Sequence, residues 1–261
     1  MQDASQEPLH MCIDRVLPKE LEDDAQLAAI TENPANFTGP ADADLPPQQK
    51  SIALLKKKLW KPGRTLHVRF LDGDPRVQEK VAKVAQEWSQ YANIHFVFDN
   101  APNAEIRISF AQPGSWSYIG TDALLIPQAQ PTMNYGWLTP DTDDEEYSRV
   151  VLHEFGHAIG CIHEHQNPDQ GIPWNEPAVL QFYEGAPNYW SEAQVRENVL
   201  KKYDRTTLSG TKFDDRSIML YPVRKELTLG GFEVPWSNSK LSDQDKTFIA
   251  TLYPSPTTGQ S

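Results

Sequence analysis

His153-Glu154-Phe155-Gly156-His157-Ala158-Ile159-Gly160-Cys161-Ile162-His163 is the stretch around which the chain must organise itself. On an α-helix residues four apart share a face, so His153 and His157 present their imidazoles to one ion, while Glu154, one step round, borders the same cleft. Gly160 ends that helix. Glycine takes positive φ without steric cost, and a sharp turn there brings His163 in from a new direction as a third ligand. Three neutral imidazoles suit one zinc ion and leave its fourth position open to water. A His-Glu-x-x-His pattern arises by chance in on the order of one chain in a hundred, and requiring Gly160 and His163 as well lowers that by roughly two further orders of magnitude. The run therefore predicts a catalytic Zn2+ held by His153, His157 and His163, with Glu154 as the carboxylate beside it.

Composition bounds the rest. At 261 residues, with 39% hydrophobic and 10% aromatic residues including seven Trp, the chain can bury a substantial core and suits one catalytic domain with an extension. A formal net charge of -12 opposes a nucleic-acid or anionic-membrane partner, because either would repel most of this surface. No apolar stretch approaches bilayer-spanning length, and Met1 to Ser5 lacks the basic start and apolar run of a signal peptide. The expected partner is a protein or peptide, the expected state a monomer. The basic run Lys56-Lys57-Lys58 reads as a solvated helix face, with a processing site as the sharper alternative.

Two cysteines, Cys12 and Cys161, do not decide the compartment. Three readings compete for them: a disulfide tethering the N-terminal segment near the site, a Cys12 thiolate occupying the open zinc position and holding the chain latent, or two unrelated buried thiols.

Residues 1–58 read as an extension, a propeptide or strap. Pro18 opens a short helix with Leu21, Ala25 and Ala28 on one face, ending before Pro34, and the prolines from Pro34 to Pro47 mark a linker. A catalytic domain over 59–254 follows, divided into 59–163 and 164–254, with a tail at 255–261. Arg64 to Phe70 alternates with the strand period, and Asp74-Pro75 opens a helix burying Val77, Val81, Val84, Ala85 and Trp88. Ile94 to Phe98, Glu105 to Phe110, Asp122 to Pro127 and Thr132 to Leu138 are strand candidates. Asp143 and Asp144 cap the helix that carries the histidines. Shorter helices are expected near Ala178 to Glu184 and from Ser191, where Gln194 completes a capping box. A last helix starts at the Ser242/Asp245 pair and stops before Pro254. The pattern is α+β, a twisted sheet backed by helices.

Ser217-Ile218-Met219-Leu220-Tyr221, more than fifty residues past His163, is the place to look for a methionine turn beneath the zinc. With it, the sequence resembles the metzincin zinc peptidases, and among them the astacins, because Glu164 follows the third histidine and the turn reads S-I-M-L-Y. The resemblance runs over roughly 59–254. Asn167, Pro168 and Asp169 stand where the family carries an arginine and aspartates, Leu220 where it carries histidine, and four cysteines for two disulfides are lacking, so a divergent member is implied.

What the resemblance implies is a metzincin-like two-subdomain fold, with a mixed sheet and site helix above an irregular C-terminal half. A substrate would lie extended and antiparallel to an edge strand, for which Ser117 to Pro127 is the candidate. It also implies a zinc endopeptidase with Glu154 as general base, Tyr221 as an additional zinc ligand that swings to the oxyanion, and Met219 as the floor under the histidines. Arg224 is a candidate for the pocket just past the cut, Glu164 for binding a processed N-terminus, and Phe37 to Asp42 faintly resembles an inhibitory propeptide motif. Secretion is implied by the family, cytosolic residence being the alternative for a chain that shows no leader. The competing reading is a catalytically silent zinc module that recognises peptides or glycans.

Overall fold

Leu66 and Val68 on one strand, and Val77, Val81 and Ala85 on one helical stripe, are fully or nearly fully buried. The two periodicities built opposite walls of one core. In the computed structural model the described residues are Cys12, 15–37, 58–167, 171–185, 189–202, 213–220, 222–234 and 238–256. Helix α1 spans Glu22–Glu32. Strand β1 (Arg64–Phe70) and helix α2 (Pro75–Ala85) follow, the latter capped by the Asp74 side chain, which accepts from the Arg76 N–H. Then come β2 (Ile94–Phe98), β3 (Ile106–Ser109), β4 (Ser115–Ser117) and β5 (Met133–Tyr135). Helix α3 (Asp144–Ala158) carries the site, with Asp143 as N-cap accepting from the Glu146 N–H. Beyond it lie short helices, α4 (Glu176–Glu184) and a one-turn helix Glu192–Val195 opened by the Ser191/Gln194 capping box, and finally α5 (Asp243–Leu252). No helix among the described residues is long and apolar enough to cross a membrane.

The strands form one mixed sheet in the order β2-β1-β3-β5-β4. The first four are parallel, and β4 closes the edge antiparallel to β5, with Ser115 opposite Tyr135 and Ser117 opposite Met133. The core lies between this sheet and helices α2 and α3, joining Ile94, Ile106, Ile108, Val150, Val151 and Phe155. Two tryptophans brace the site helix from the core. Trp88 donates its indole N–H to the Leu152 carbonyl at 2.9 Å and Trp60 to the Ala158 carbonyl at 2.8 Å, the latter one of the end carbonyls a helix cannot satisfy itself.

Two expectations are corrected. Asp122 to Pro127 is not a strand: Gly120–Leu125 coils into 3-10 turns. Gly120 has φ +50°, and a Cβ there would stand 1.9 Å from the Lys58 carbonyl, so the chain passes too close to Lys58 to extend. Asp122 is buried and paired with the Lys58 ammonium at 2.5 Å, so this lysine is an anchor and not part of a free basic face. The sheet edge is accordingly β4, overlapping the expected Ser117 to Pro127 segment only at Ser117.

The described residues of the N-terminal segment pack on the catalytic part of the chain. Helix α1 turns Leu21, Ala25, Ala28 and Ala29 inward, as the pattern predicts. Asn36, fully buried, donates to the Leu59 carbonyl at 2.8 Å and to the Ala29 carbonyl at 2.9 Å, while Asn33 donates to the Trp60 carbonyl at 3.0 Å. Glu32 adds an ion pair to Arg64 at 3.2 Å. Lys56, Lys57 and the Thr38 to Asp42 part of the propeptide-like motif lie outside the described residues.

Candidate active site

Helix α3 ends in a hydrogen-bond pattern that its sequence dictates. The Cys161 N–H bonds the Gly156 carbonyl at 2.9 Å and the Gly160 N–H bonds the His157 carbonyl at 2.8 Å, the paired closure of a Schellman motif. Gly160 sits at φ +97°, which an L side chain rarely adopts. The reversal returns His163 to the face that already bears His153 and His157. All three rings are buried, and their Nε2 atoms form a triangle with edges of 3.2 Å (His153 to His157), 3.0 Å (His157 to His163) and 3.1 Å (His153 to His163).

The His153–His157 edge is not a hydrogen bond between rings. His153 directs Nδ1 at the Ile218 carbonyl, 2.8 Å away, and His157 directs Nδ1 at the Cys161 carbonyl, 2.9 Å away. A carbonyl only accepts, so each ring proton belongs on Nδ1 and the Nε2 lone pairs face one another. Two lone pairs thus face each other, and the His163 Nε2 converges on the same point at 3.0 and 3.1 Å, an arrangement that suits a cation held between the three nitrogens. Tetrahedral bonds of ~2.05 Å to zinc place nitrogens about 3.3 Å apart, close to the observed edges, so the residues fit the ion. Burial, and then the neighbouring imidazoles, push His153 and His163 well below the ordinary histidine range, keeping both rings in the neutral form a metal needs.

Glu154 is wholly buried beside this triangle, and its Oε2 accepts from the Cys12 thiol at 3.2 Å. Cys12 Sγ and one ring nitrogen from each of the three histidines all lie within 4.8 Å of one another. Cys12 arrives there on a strap. It bridges Ser115 in the parallel sense, Arg15 bridges Tyr118 likewise, and the Arg15 guanidinium stacks over the Trp116 ring at 4.2 Å. Cys12 and Arg15 therefore lie along the sheet edge, with the Cys12 sulfur beside the histidine nitrogens.

The structure corrects the disulfide reading. Cys12 and Cys161 are buried thiols that no disulfide joins. Cys161 packs its side chain into the main core, where burial pushes its thiol up, and reaches the site only through its carbonyl. Met219 is buried directly under the site helix: a Cβ on Gly156 would stand 2.4 Å from its Sδ. Its carbonyl accepts from the Glu164 N–H at 2.9 Å. Glu164 is half-buried and bonded within the protein. Its Oε1 accepts from Asn167 Nδ2 at 2.9 Å and from the Asp214 N–H at 3.1 Å, and burial raises its carboxyl to about 7. Arg224 packs its guanidinium over the Phe182 ring at 5.1 Å. Tyr221 lies outside the described residues, between the buried Leu220 and Pro222.

Several participants left no motif. The Ile218 and Cys161 carbonyls are main-chain groups without a sequence signature, and Asp245 reads only as a helix-capping residue. The capping pattern could have prompted a search for what else that carboxylate accepts.

A three-histidine cluster able to hold a metal ion, on a helix-glycine-turn frame with a buried glutamate beside it and a methionine beneath, is the arrangement of a metzincin zinc metallopeptidase. The sequence matches the Astacin peptidase family over residues 54–228, and the chain belongs to that family. A structure of myroilysin is 46% identical, covers 77% of this chain and 98% of its own, and superposes with a TM-score of 0.75. A crystal structure of myroilysin, also 46% identical over 76% of this chain and 86% of its own, gives 0.61. High choriolytic enzyme 1, a hatching-enzyme zinc protease of the medaka Oryzias latipes, is 17% identical over 75% of this chain and 94% of its own, with a TM-score of 0.53, and shares the fold.

Proposed function

We propose that this zinc metallopeptidase is an endopeptidase that cuts extended polypeptides laid along β4, with Glu154 as general base, and that Cys12 holds it latent. The observation that carries the reading is the Glu154 carboxylate, fully buried against the Nε2 triangle and in hydrogen-bond contact with the strap's thiol. Zinc bound by His153, His157 and His163 supplies a polarised scissile carbonyl and a more acidic attacking water. Glu154 takes the proton of that water and delivers it to the leaving amine, a role typically worth ~10²–10⁴-fold in rate. Tyr221 follows the methionine turn, and its proposed task is to ligate the ion at rest and to donate to the oxyanion in the transition state.

The strap supports latency on two grounds. The Cys12 sulfur lies where it complements three imidazole nitrogens as a fourth donor, and sulfur is a good zinc ligand. It also runs parallel to β4, whereas the substrate is expected antiparallel, so its peptide bonds present the reverse polarity to the site. We assign residues 1–58 as this inhibitory extension and 59–254 as the catalytic unit, split near His163 into sheet-bearing and irregular halves. The unit acts as a monomer in a secreted setting, with no nucleic-acid or membrane partner. Arg224 would favour acidic side chains just after the cut.

The test uses the full chain with Cys12→Ala and measures zinc content and peptide-library cleavage. We expect one zinc, cleavage well above the unaltered chain, and at least a ~10²-fold loss when Glu154→Ala is added. A Cys12→Ala chain that holds zinc and cuts nothing would sink the peptidase reading. Equal activity with and without Cys12 would sink the latch alone.

A further inference from the structure

We propose that Asp245, on the C-terminal helix, is a positioning residue for the zinc ligand His153, acting through the turn that carries Met219. The proposal rests on the reading of His153 as a ligand. Asp245 belongs to the N-terminal capping box of α5, and its own N–H bonds the Ser242 hydroxyl at 2.9 Å. A capping carboxylate needs only one acceptor contact for that task, here Oδ2 taking the Ser242 N–H at 2.9 Å. Asp245 makes two more. Its Oδ2 accepts from the Ile218 N–H at 2.8 Å and its Oδ1 from the Ser217 hydroxyl at 2.7 Å.

These extra bonds continue to the metal site. The Ser217 oxygen accepts from the Met219 N–H at 3.0 Å, so the hydroxyl that donates to Asp245 also holds one end of the Ile218-Met219 peptide. The other end of the same peptide is the Ile218 carbonyl, which takes the His153 Nδ1 proton at 2.8 Å. The chain is unbroken: His153 donates to a peptide oxygen, that peptide donates to Ser217, and Ser217 donates to Asp245. Hydrogen bonds in series polarise one another, so a half-buried carboxylate at the far end makes the Ile218 carbonyl a better acceptor. A stronger acceptor at Nδ1 fixes the tautomer and raises the basicity of Nε2, as a carboxylate does when it bonds a ligand histidine directly. Ser217, Ile218, Met219 and His153 are all buried, so no solvent competes along the path.

Asp245→Asn keeps the volume but breaks the polarity. The remaining carbonyl oxygen can satisfy the Ile218 and Ser242 N–H groups, and the new amide then faces Ser217, whose proton loses its acceptor. Ser217→Ala cuts the same chain one link nearer the metal and leaves the bond from Asp245 to the Ile218 N–H intact. Ser242→Ala is the control, because it removes the hydroxyl that caps α5 without touching either bond from Asp245 to the turn.

The measurements are zinc release from the full chain into excess chelator and the d–d absorption of the cobalt-substituted full chain, with His153→Ala setting the scale for a lost ligand. Asp245→Asn and Ser217→Ala should each release metal ~10–100-fold faster than the unaltered chain and shift the cobalt bands. Ser242→Ala should lower the unfolding temperature and leave both readouts unchanged. The proposal is overturned if Asp245→Asn and Ser217→Ala lower stability as Ser242→Ala does while release rate and cobalt spectrum stay as in the unaltered chain. A His153→Ala chain that holds zinc as tightly as the unaltered one would instead overturn the ligand reading beneath it.

Discussion

Gly156 sits in the last turn of α3 between Phe155 and the candidate ligand His157, where substitution by alanine sets two effects of known size against each other. Helix propensity favours Ala over Gly by ~1 kcal/mol. Packing opposes it. A Cβ at this position would lie 2.4 Å from Met219 Sδ, 3.3 Å from Met219 Cε and 3.2 Å from Trp88 Cζ2. The indole cannot yield, since its N–H is bonded to Leu152, and the Met219 main chain is held at its N–H by Ser217 and at its carbonyl by Glu164. The thioether must withdraw by about 1.3 Å to regain van der Waals distance, inside a close-packed core. Overpacking of this kind costs ~1–3 kcal/mol, and an approach of 2.4 Å to a tethered neighbour puts this case in the upper part of that range, at ~2–3 kcal/mol, so we expect Gly156→Ala to destabilise by a net ~1–2 kcal/mol. Urea unfolding of the metal-free chain measures it, because metal binding would otherwise enter the transition. Met219→Ala alone should cost ~2–5 kcal/mol through its cavity. In the double variant the methyl introduced by Gly156→Ala enters that cavity, and the coupling energy should reach ~2–3 kcal/mol. A stabilising Gly156→Ala, at the ~1 kcal/mol of propensity alone, would refute the placement of Met219 against the site helix.

Asn36→Ala should loosen the strap. It strands the buried Leu59 carbonyl and N–H, at ~1–3 kcal/mol for each unsatisfied group, and should appear as faster amide exchange across Glu22–Glu32, with no change across β1; unchanged exchange in that helix would contradict the clamp. The site should also fail in acid. Burial and neighbouring imidazoles depress His153 and His163, so the unfolded chain binds more protons as pH falls through ~6.5, and metal-free stability declines with falling pH down to the folded values. The same protons compete with zinc, and metal content and cleavage should drain away below about pH 6. Full activity at about pH 4 would rule out a three-histidine site.

The sequence discloses features that spacing along a single element determines. His153 and His157 are legible because four residues make a helical turn, and Gly160 because its positive φ is a property of glycine wherever the chain reverses. The Ser242/Asp245 box and the Asp74 cap are legible for the same reason. The misreading of Asp122 to Pro127 marks the boundary. Its apolar run has strand composition, but the shape is imposed by Lys58, whose carbonyl crowds Gly120 and whose ammonium holds Asp122. Neither contact has a local signature. Cys12 lies 142 residues from the glutamate it touches, and Asn36 lies 23 residues from the peptide it clamps, so both read as ordinary thiol and turn residue until the fold closes. Asp245 is the most instructive case, because its legible task conceals a second one. The capping box accounts for one of its acceptor contacts, while the two that reach the methionine turn are specified only by the packing of α5 beneath the site. A motif, then, names the atoms that meet the metal, and the residues that aim those atoms belong to elements whose own patterns are complete without it.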